Sequence, residues 1–321
     1  MSMIPTGLRV AKYVLVLAPR EALSLPPYMA NTLRGGFGAA FKRLVCIYRP
    51  PQPCEVCDLR HICPYGALFE AAVPPGSEVL RRNTDIPRPF VLEPPLDGRT
   101  QYGPNDALKV GLVLVGRAIH HLPYFLVAFQ ELGRAGLGVR RGKFTIREVR
   151  AVNPLTGEEV AVLDSRMQVL AGRDMSVGAA ELEAAVSKMA PRDEVVLRFI
   201  TPTRLVHDGR LVMDPEFPIL LRALLRRISS LAYFHCGERW ALDFRRLKED
   251  AGEVKLVRSN LRWWDWQRYS ARQQTQVKLG GFLGDAVYRG PLTPFLPLLL
   301  LGSIIHVGKA CTFGHGRYDL I

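Results

Sequence analysis

Acidic groups are scarce in this 321-residue chain: 30 Asp and Glu stand against 43 Lys and Arg, a formal net charge of +13 at a pI near 9.7. The surplus cations must lie on the surface and attract polyanions, so nucleic acid is the first partner to consider and membrane lipid its competitor. No long uninterrupted apolar run is present. The stretch 291–307 is broken by Pro294, Pro297 and Gly302 and runs into His306 and Lys309, the pattern of a buried helix rather than a membrane span. A signal-peptide pattern is also missing from the first residues, which argues for a cytoplasmic protein with reduced thiols. Nor is there a Walker A loop: Gly308-Lys309 is followed by Ala310 and lacks the preceding strand and glycine spacing, which excludes a P-loop nucleotide site. What the chain does have is 48% hydrophobic residues, enough for a packed core in one large domain or two ordinary ones.

Periodicity orders the first half as strand (8–17), helix (27–45), strands (90–93 and 109–115), helix (118–132) and strand (143–152). That order is the split βαβ, or ferredoxin-like, signature. The same order returns as strand (195–200), helix (217–234), strand-like material (253–289), helix (294–305) and a final strand (317–321). The sequence therefore reads as an α+β protein of tandem ferredoxin-like domains, 1–154 and 155–321, with a Cys- and Pro-rich insertion over 46–87 in the first. A local echo between Leu122-Pro-Tyr-Phe and Phe295-Leu-Pro-Leu, each followed by a Gly-rich turn, favours a duplicated unit.

Four constellations carry chemistry. The segment from Gly302 to Arg317 ends the second half with Gly308, Gly314 and Gly316, which let the backbone approach a ligand, and with Lys309 and Arg317 as cations. A phosphate backbone fits such a loop; a plain helix-to-strand connection is the competing reading. Next, alternation along a strand puts Trp264 and Trp266 on one face with Arg262 and Arg268, a mixture suited to stacking on bases and contacting phosphates, unless one face is core and the arginines are merely solvated. The run Arg140, Arg141, Lys143 beside the first Gly-rich turn offers a further phosphate contact or a solvated charge run. Finally, Cys46, Cys54, Cys57 and Cys63 supply four thiolates around a Cys-x-x-Cys knuckle, the set for a closed structural zinc site or an iron–sulfur cluster, with zinc preferred and no catalytic metal expected. Cys236 and Cys311 read as small buried side chains.

The helix followed by His306-Val-Gly-Lys309 and Thr312-Phe-Gly-His-Gly-Arg-Tyr318 resembles the glycine-rich loop of CRISPR-associated RAMP proteins, specifically their precursor-crRNA endoribonucleases. Leu33-Arg-Gly-Gly-Phe-Gly38, Pro123-Tyr-Phe125 with Gly133 to Gly138, and Thr201-Pro-Thr-Arg204 extend the similarity over most of the chain. The resemblance implies binding of CRISPR repeat RNA and metal-independent cleavage, in which the 2′-hydroxyl attacks the adjacent phosphate to leave a 2′,3′-cyclic phosphate and a 5′-hydroxyl. Members often draw a histidine from the first helical region, yet none of the seven histidines here precedes His61. That departure directs the catalytic assignment to His306 as proton acceptor with Lys309 on the phosphate, then to Tyr28 and Arg34. A helix-terminal imidazole satisfying a carbonyl is the plain alternative for His306, and His315 reads as an RNA contact. His120 and His121 read as packing or surface residues, and His207 and His235 carry no recognisable constellation. Two rival functions remain: a non-catalytic RAMP subunit holding crRNA among effector-complex partners, and a zinc-binding structural adaptor.

Overall fold

The computed structural model describes the chain apart from residues 1, 49, 75–76, 78–85, 165, 167, 170–172, 266 and 271–274, with backbone alone for 267–270 and 275–278. It forms two compact units, one of Val10–Ser176 and one of Met1–Arg9 with Val177–Ile321.

In the first unit β1 (Val10–Pro19), α1 (Ala30–Val45), β2 (Phe90–Glu93), β3 (Leu108–Val115), α2 (Leu122–Ala135) and β4 (Phe144–Val152) follow one another as expected, and β5 (Glu159–Leu163) is added. The antiparallel sheet has the order β2-β3-β1-β4-β5, whose first four strands are the ferredoxin-like arrangement. One face of β1, through Leu15 and Leu17, is buried with the apolar stripes of both helices. Phe37 of α1 stacks within that core on Phe125 and Phe129 of α2, with ring centroids 5.3 and 4.9 Å apart. Helix α1 starts three residues after the expected position, because Pro26-Pro27 favour an extended backbone and Met29 takes the cap position. The unit also runs past residue 154. Asn153 Oδ1 accepts from the amides of Leu155 and Thr156 at 2.9 and 3.2 Å, closing a hairpin that returns β5 onto β4. Among the described residues of 46–87, regular structure is confined to a 3-10 turn at Cys54–Val56 and a five-residue helix at Pro64–Leu68.

The second unit contains α3 (Ala179–Ser187), β6 (Glu194–Thr203), α4 (Phe217–Leu231), α5 (Phe244–Ala251), β7 (Lys255–Trp264), β8 (Gly281–Arg289), α6 (Leu296–Ile305) and β9 (Tyr318–Leu320). Its antiparallel sheet, β7-β8-β6-β9, repeats the ferredoxin-like order, so the chain is a tandem of that fold. Helix α6 is apolar on nearly every side and buried; Gly302 gives it close contact with its neighbours, since a Cβ there would stand 2.3 Å from the Tyr318 hydroxyl and 2.4 Å from Leu224. Among the described residues no helix is long and apolar enough to cross a membrane. The first nine residues join this unit through Glu238, whose carboxylate accepts from the amides of Thr6 and Gly7 at 3.0 and 2.6 Å. A short hairpin, Leu205–His207 with Arg210–Val212, follows β6 and turns at Asp208-Gly209, both at positive φ.

Candidate nucleic-acid interface

Helix α6 ends where His306 adopts φ 65° and ψ 166°, a break that turns the chain back toward the end of β6. The imidazole is fully buried, and its Nδ1 donates to the His315 carbonyl at 3.0 Å. A carbonyl only accepts, so Nδ1 carries the proton and the structure places His306 as a helix-terminal residue holding the loop. The loop is then stitched down by its backbone. Val307 donates to Gly316 at 2.9 Å, Gly316 to Pro202 at 3.0 Å and Lys309 to Arg204 at 3.0 Å, while the Arg317 amide reaches Thr201 Oγ1 at 2.9 Å. Gly308 and Gly316 have no substitutes here: their φ values are +89° and +76°, and a Cβ would stand 2.6 Å from the Arg204 carbonyl and 1.8 Å from that of Val307. Gly314, also at positive φ, closes the 3-10 turn Cys311–Phe313.

The same folding buries His315 completely. Burial, with the neighbouring charges of His306 and Arg204, pushes its imidazole down to about 3, so it stays neutral near pH 7 and offers RNA no exposed ring. Lys309 is what the loop presents to solvent, with Arg317 half-buried beside it in sequence. Arg204, on the strand end that supports Lys309, donates from NH1 to the Gly280 carbonyl at 3.2 Å. Gly280 in turn packs so closely on the end of β7 that a Cβ would lie 2.8 Å from the Trp264 carbonyl and 3.1 Å from Trp263 Nε1. Loop and edge strand are thus brought together from segments far apart in sequence.

Strand β7 is an edge strand and is exposed over much of its length, with Arg258 and Arg262 open to solvent and Trp263 and Trp264 half-buried. Alternation places Arg262 and Trp264 on one face, while Trp263 binds Asp265 through Nε1 at 2.9 Å. Trp266 lies outside the described residues. Arg268 sits in the strand Gln267–Ser270, opposite Val277 of Thr275–Lys278.

In the first unit, the Gly-rich turn after α2 rests on the segment leading to α1: Cβ atoms at Gly138 and Gly142 would meet the carbonyls of Ser24 and Ala22 at 2.3 and 2.5 Å. The turn raises Arg140, Arg141 and Lys143 into solvent, and Lys143 pairs with Glu21 at 3.7 Å. Tyr28 is half-buried, and burial pushes its phenol well above the ordinary range, so it is a proton donor rather than a base at neutral pH. The Arg34 guanidinium stacks over Phe69 with its carbon 4.6 Å from the ring centroid. These residues belong to the first unit and the His306–Arg317 loop to the second. Cys46, Cys54, Cys57 and Cys63 line a single surface cavity of the first unit and none is in a disulfide. Sequence spacing concealed two features. Arg204 was visible only as the end of Thr201-Pro-Thr-Arg204, and nothing announced that His207 Nδ1 would lie 3.4 Å from Arg222 NH1, because fifteen residues and a hairpin separate them.

A family model described as an N-terminal domain matches residues 8–175, and the model of the CRISPR-associated endoribonuclease Cas6 matches residues 197–318. A protein of Archaeoglobus fulgidus described as uncharacterized is 31% identical over 305 residues, covering 92% of each chain. Among solved structures, a Cas6 product complex aligns with a TM-score of 0.58 at 19% identity, over 97% of this chain and 99% of that one. Thermus thermophilus Cas6 aligns at 0.55 and 17% identity, over 98% and 99%. The structural likeness bears on the fold, two ferredoxin-like units in tandem, while the Cas6 family model falls on the unit that ends in the glycine-rich loop. Residues 197–318, in the unit that ends in the glycine-rich loop, match the CRISPR-associated endoribonuclease Cas6 family, and the chain as a whole shares the fold of the Cas6 structures.

Proposed function

We propose that this chain binds CRISPR repeat RNA and cuts precursor crRNA by attack of a ribose 2′-hydroxyl on the adjacent phosphate. The new bond joins O2′ to phosphorus as the bond to O5′ breaks; the 2′-hydroxyl loses a proton and O5′ gains one, leaving a 2′,3′-cyclic phosphate and a 5′-hydroxyl. One observation carries the reading: an exposed lysine on a glycine-shaped loop whose support, Arg204, reaches Gly280 beside the end of the strand that carries Arg262 and Trp264. Lys309 holds the phosphate and offsets the charge that grows on it in the transition state. His306, behind the loop, is a positioning residue. Tyr28 and Arg34, in the first unit, are the next candidates to substitute, each by itself, the phenol of Tyr28 remaining protonated at neutral pH.

The test is single-turnover cleavage of repeat RNA in EDTA, with a second substrate carrying a 2′-deoxy sugar at the scissile position. The expected result is cleavage of the first and binding without cleavage of the second. Burial of both loop imidazoles favours one other reading, a RAMP protein that holds crRNA without cutting it. Tight binding of the all-ribose substrate with no product, in EDTA and in magnesium alike, would establish that reading instead.

A further inference from the structure

Helix α4 sends its arginines to two different environments. Its buried stripe runs through Leu220, Leu224, Ile228 and Leu231, a spacing that leaves Arg222 and Arg226 exposed. Arg227 falls on the stripe, three residues after Leu224 and four before Leu231, and is only 8% exposed. Its Nε donates at 3.0 Å to the carbonyl of Ile305, the last residue of α6 before the backbone breaks at His306. A helix end of this kind, with a carbonyl in need of a donor and the negative pole of the dipole, favours a cation. The contact satisfies only part of the guanidinium. NH2 is buried with no acceptor, and among the described residues no carboxylate pairs with Arg227.

A guanidinium keeps its charge in a protein, so α4 holds a positive charge in the interior with only a helix end to balance it. Such a charge costs stability, because one carbonyl does not replace the water it has lost. A cost of this kind is retained where the group serves a ligand. The loop that follows Ile305 is where the charge is felt. Cys311, in the 3-10 turn of that loop, is buried, which pushes its thiol up, and the charges of Arg227 and Lys309 pull against the rise. Two cations therefore act on the loop, Lys309 exposed and Arg227 in the core. We propose that Arg227 is a positioning residue: it holds the end of α6 through Ile305, and its uncompensated charge draws an RNA phosphate onto the glycine-rich loop. This role rests on the reading of that loop as a phosphate site, and Arg227 fills it without touching the RNA.

Two substitutions separate the bond from the charge. Arg227→Gln places an amide nitrogen at the position of Nε, so the bond to Ile305 survives while the charge goes; Arg227→Lys keeps the charge and puts a methylene where Nε donated. Binding is measured with repeat RNA carrying a 2′-deoxy sugar at the scissile position, beside a thermal scan of each protein. Arg227→Gln should melt no lower than the wild type, because an unbalanced buried charge has been removed, yet bind RNA about tenfold more weakly at low salt. Arg227→Lys should bind with close to wild-type affinity even where it melts lower. A Gln variant that binds as the wild type does would overturn the proposal. So would one whose melting temperature falls along with its affinity, the mark of a purely structural arginine. Should the Lys variant fail to fold, the Gln variant decides alone. If the wild type itself does not bind the RNA, the phosphate reading of the loop fails and this role with it; wild-type binding with an unchanged Gln variant removes Arg227 alone.

Discussion

Lys309 and His306 stand three positions apart and face opposite environments, one in solvent and one in the core. Lys309→Ala should therefore lower RNA affinity about tenfold, the scale of one charge-assisted contact, and slow single-turnover cleavage further, because the same charge serves the transition state. The protein should melt as before, which a thermal scan alongside the cleavage assay checks. His306→Ala should do the reverse in the first instance: it strands the buried His315 carbonyl at a cost of about 1–3 kcal/mol, lowers the melting temperature, and weakens cleavage only as the loop loosens. A cleavage loss of about a hundredfold or more with an unchanged melting temperature would restore His306 to the chemistry. His315 adds a pH dependence. Its folded-state imidazole titrates near 3, below the value of about 6.5 in an unfolded chain, so the unfolded state takes up the proton first as pH falls. Stability should be full above pH 6.5 and decline from there toward pH 3; His315→Gln should flatten that decline in urea titrations at stepped pH.

Elements were more legible in the sequence than the contacts between them. Both βαββαβ orders followed from the alternation in β1 and β6 and from apolar periodicity in α2 and α4, because a two-residue or 3.6-residue period is a local property of the chain. Strand β5 escaped because the Asn153 turn that delivers it depends on side-chain geometry, which no hydrophobic period announces. The loop after α6 was recognisable as glycine-rich; that both of its histidines are buried was not, since their burial depends on the Pro202 and Arg204 carbonyls of a distant strand. The glycines there carry a strong expectation: Gly316→Ala should disrupt the C-terminal unit, since its methyl would press on the Val307 carbonyl at a φ unfavourable to any L side chain, and the loss of soluble folded protein would register it. On the edge strand, Trp264→Ala should cost about 1–3 kcal/mol of RNA binding if its ring stacks on a base. Unchanged affinity in the folded variant would assign the indole to packing.

For the whole molecule, the net charge of +13 should make RNA affinity fall steeply with salt. The logarithm of the association constant drops by about 0.7 per decade of salt for each single-stranded phosphate neutralised, so Lys309→Ala should reduce the measured slope by roughly one such step. A slope near zero would mean that the basic surface does not meet the phosphate backbone. The chain's path through its two units has a different consequence, one of timing. Val10–Ser176 is continuous in sequence, whereas Thr6 and Gly7 must wait for Glu238, 231 residues farther along, before their amides find the carboxylate. At 5–20 residues per second that wait is on the order of tens of seconds during synthesis. The continuous unit can complete itself on the ribosome as soon as it emerges, but the other must recover a short segment made before that unit.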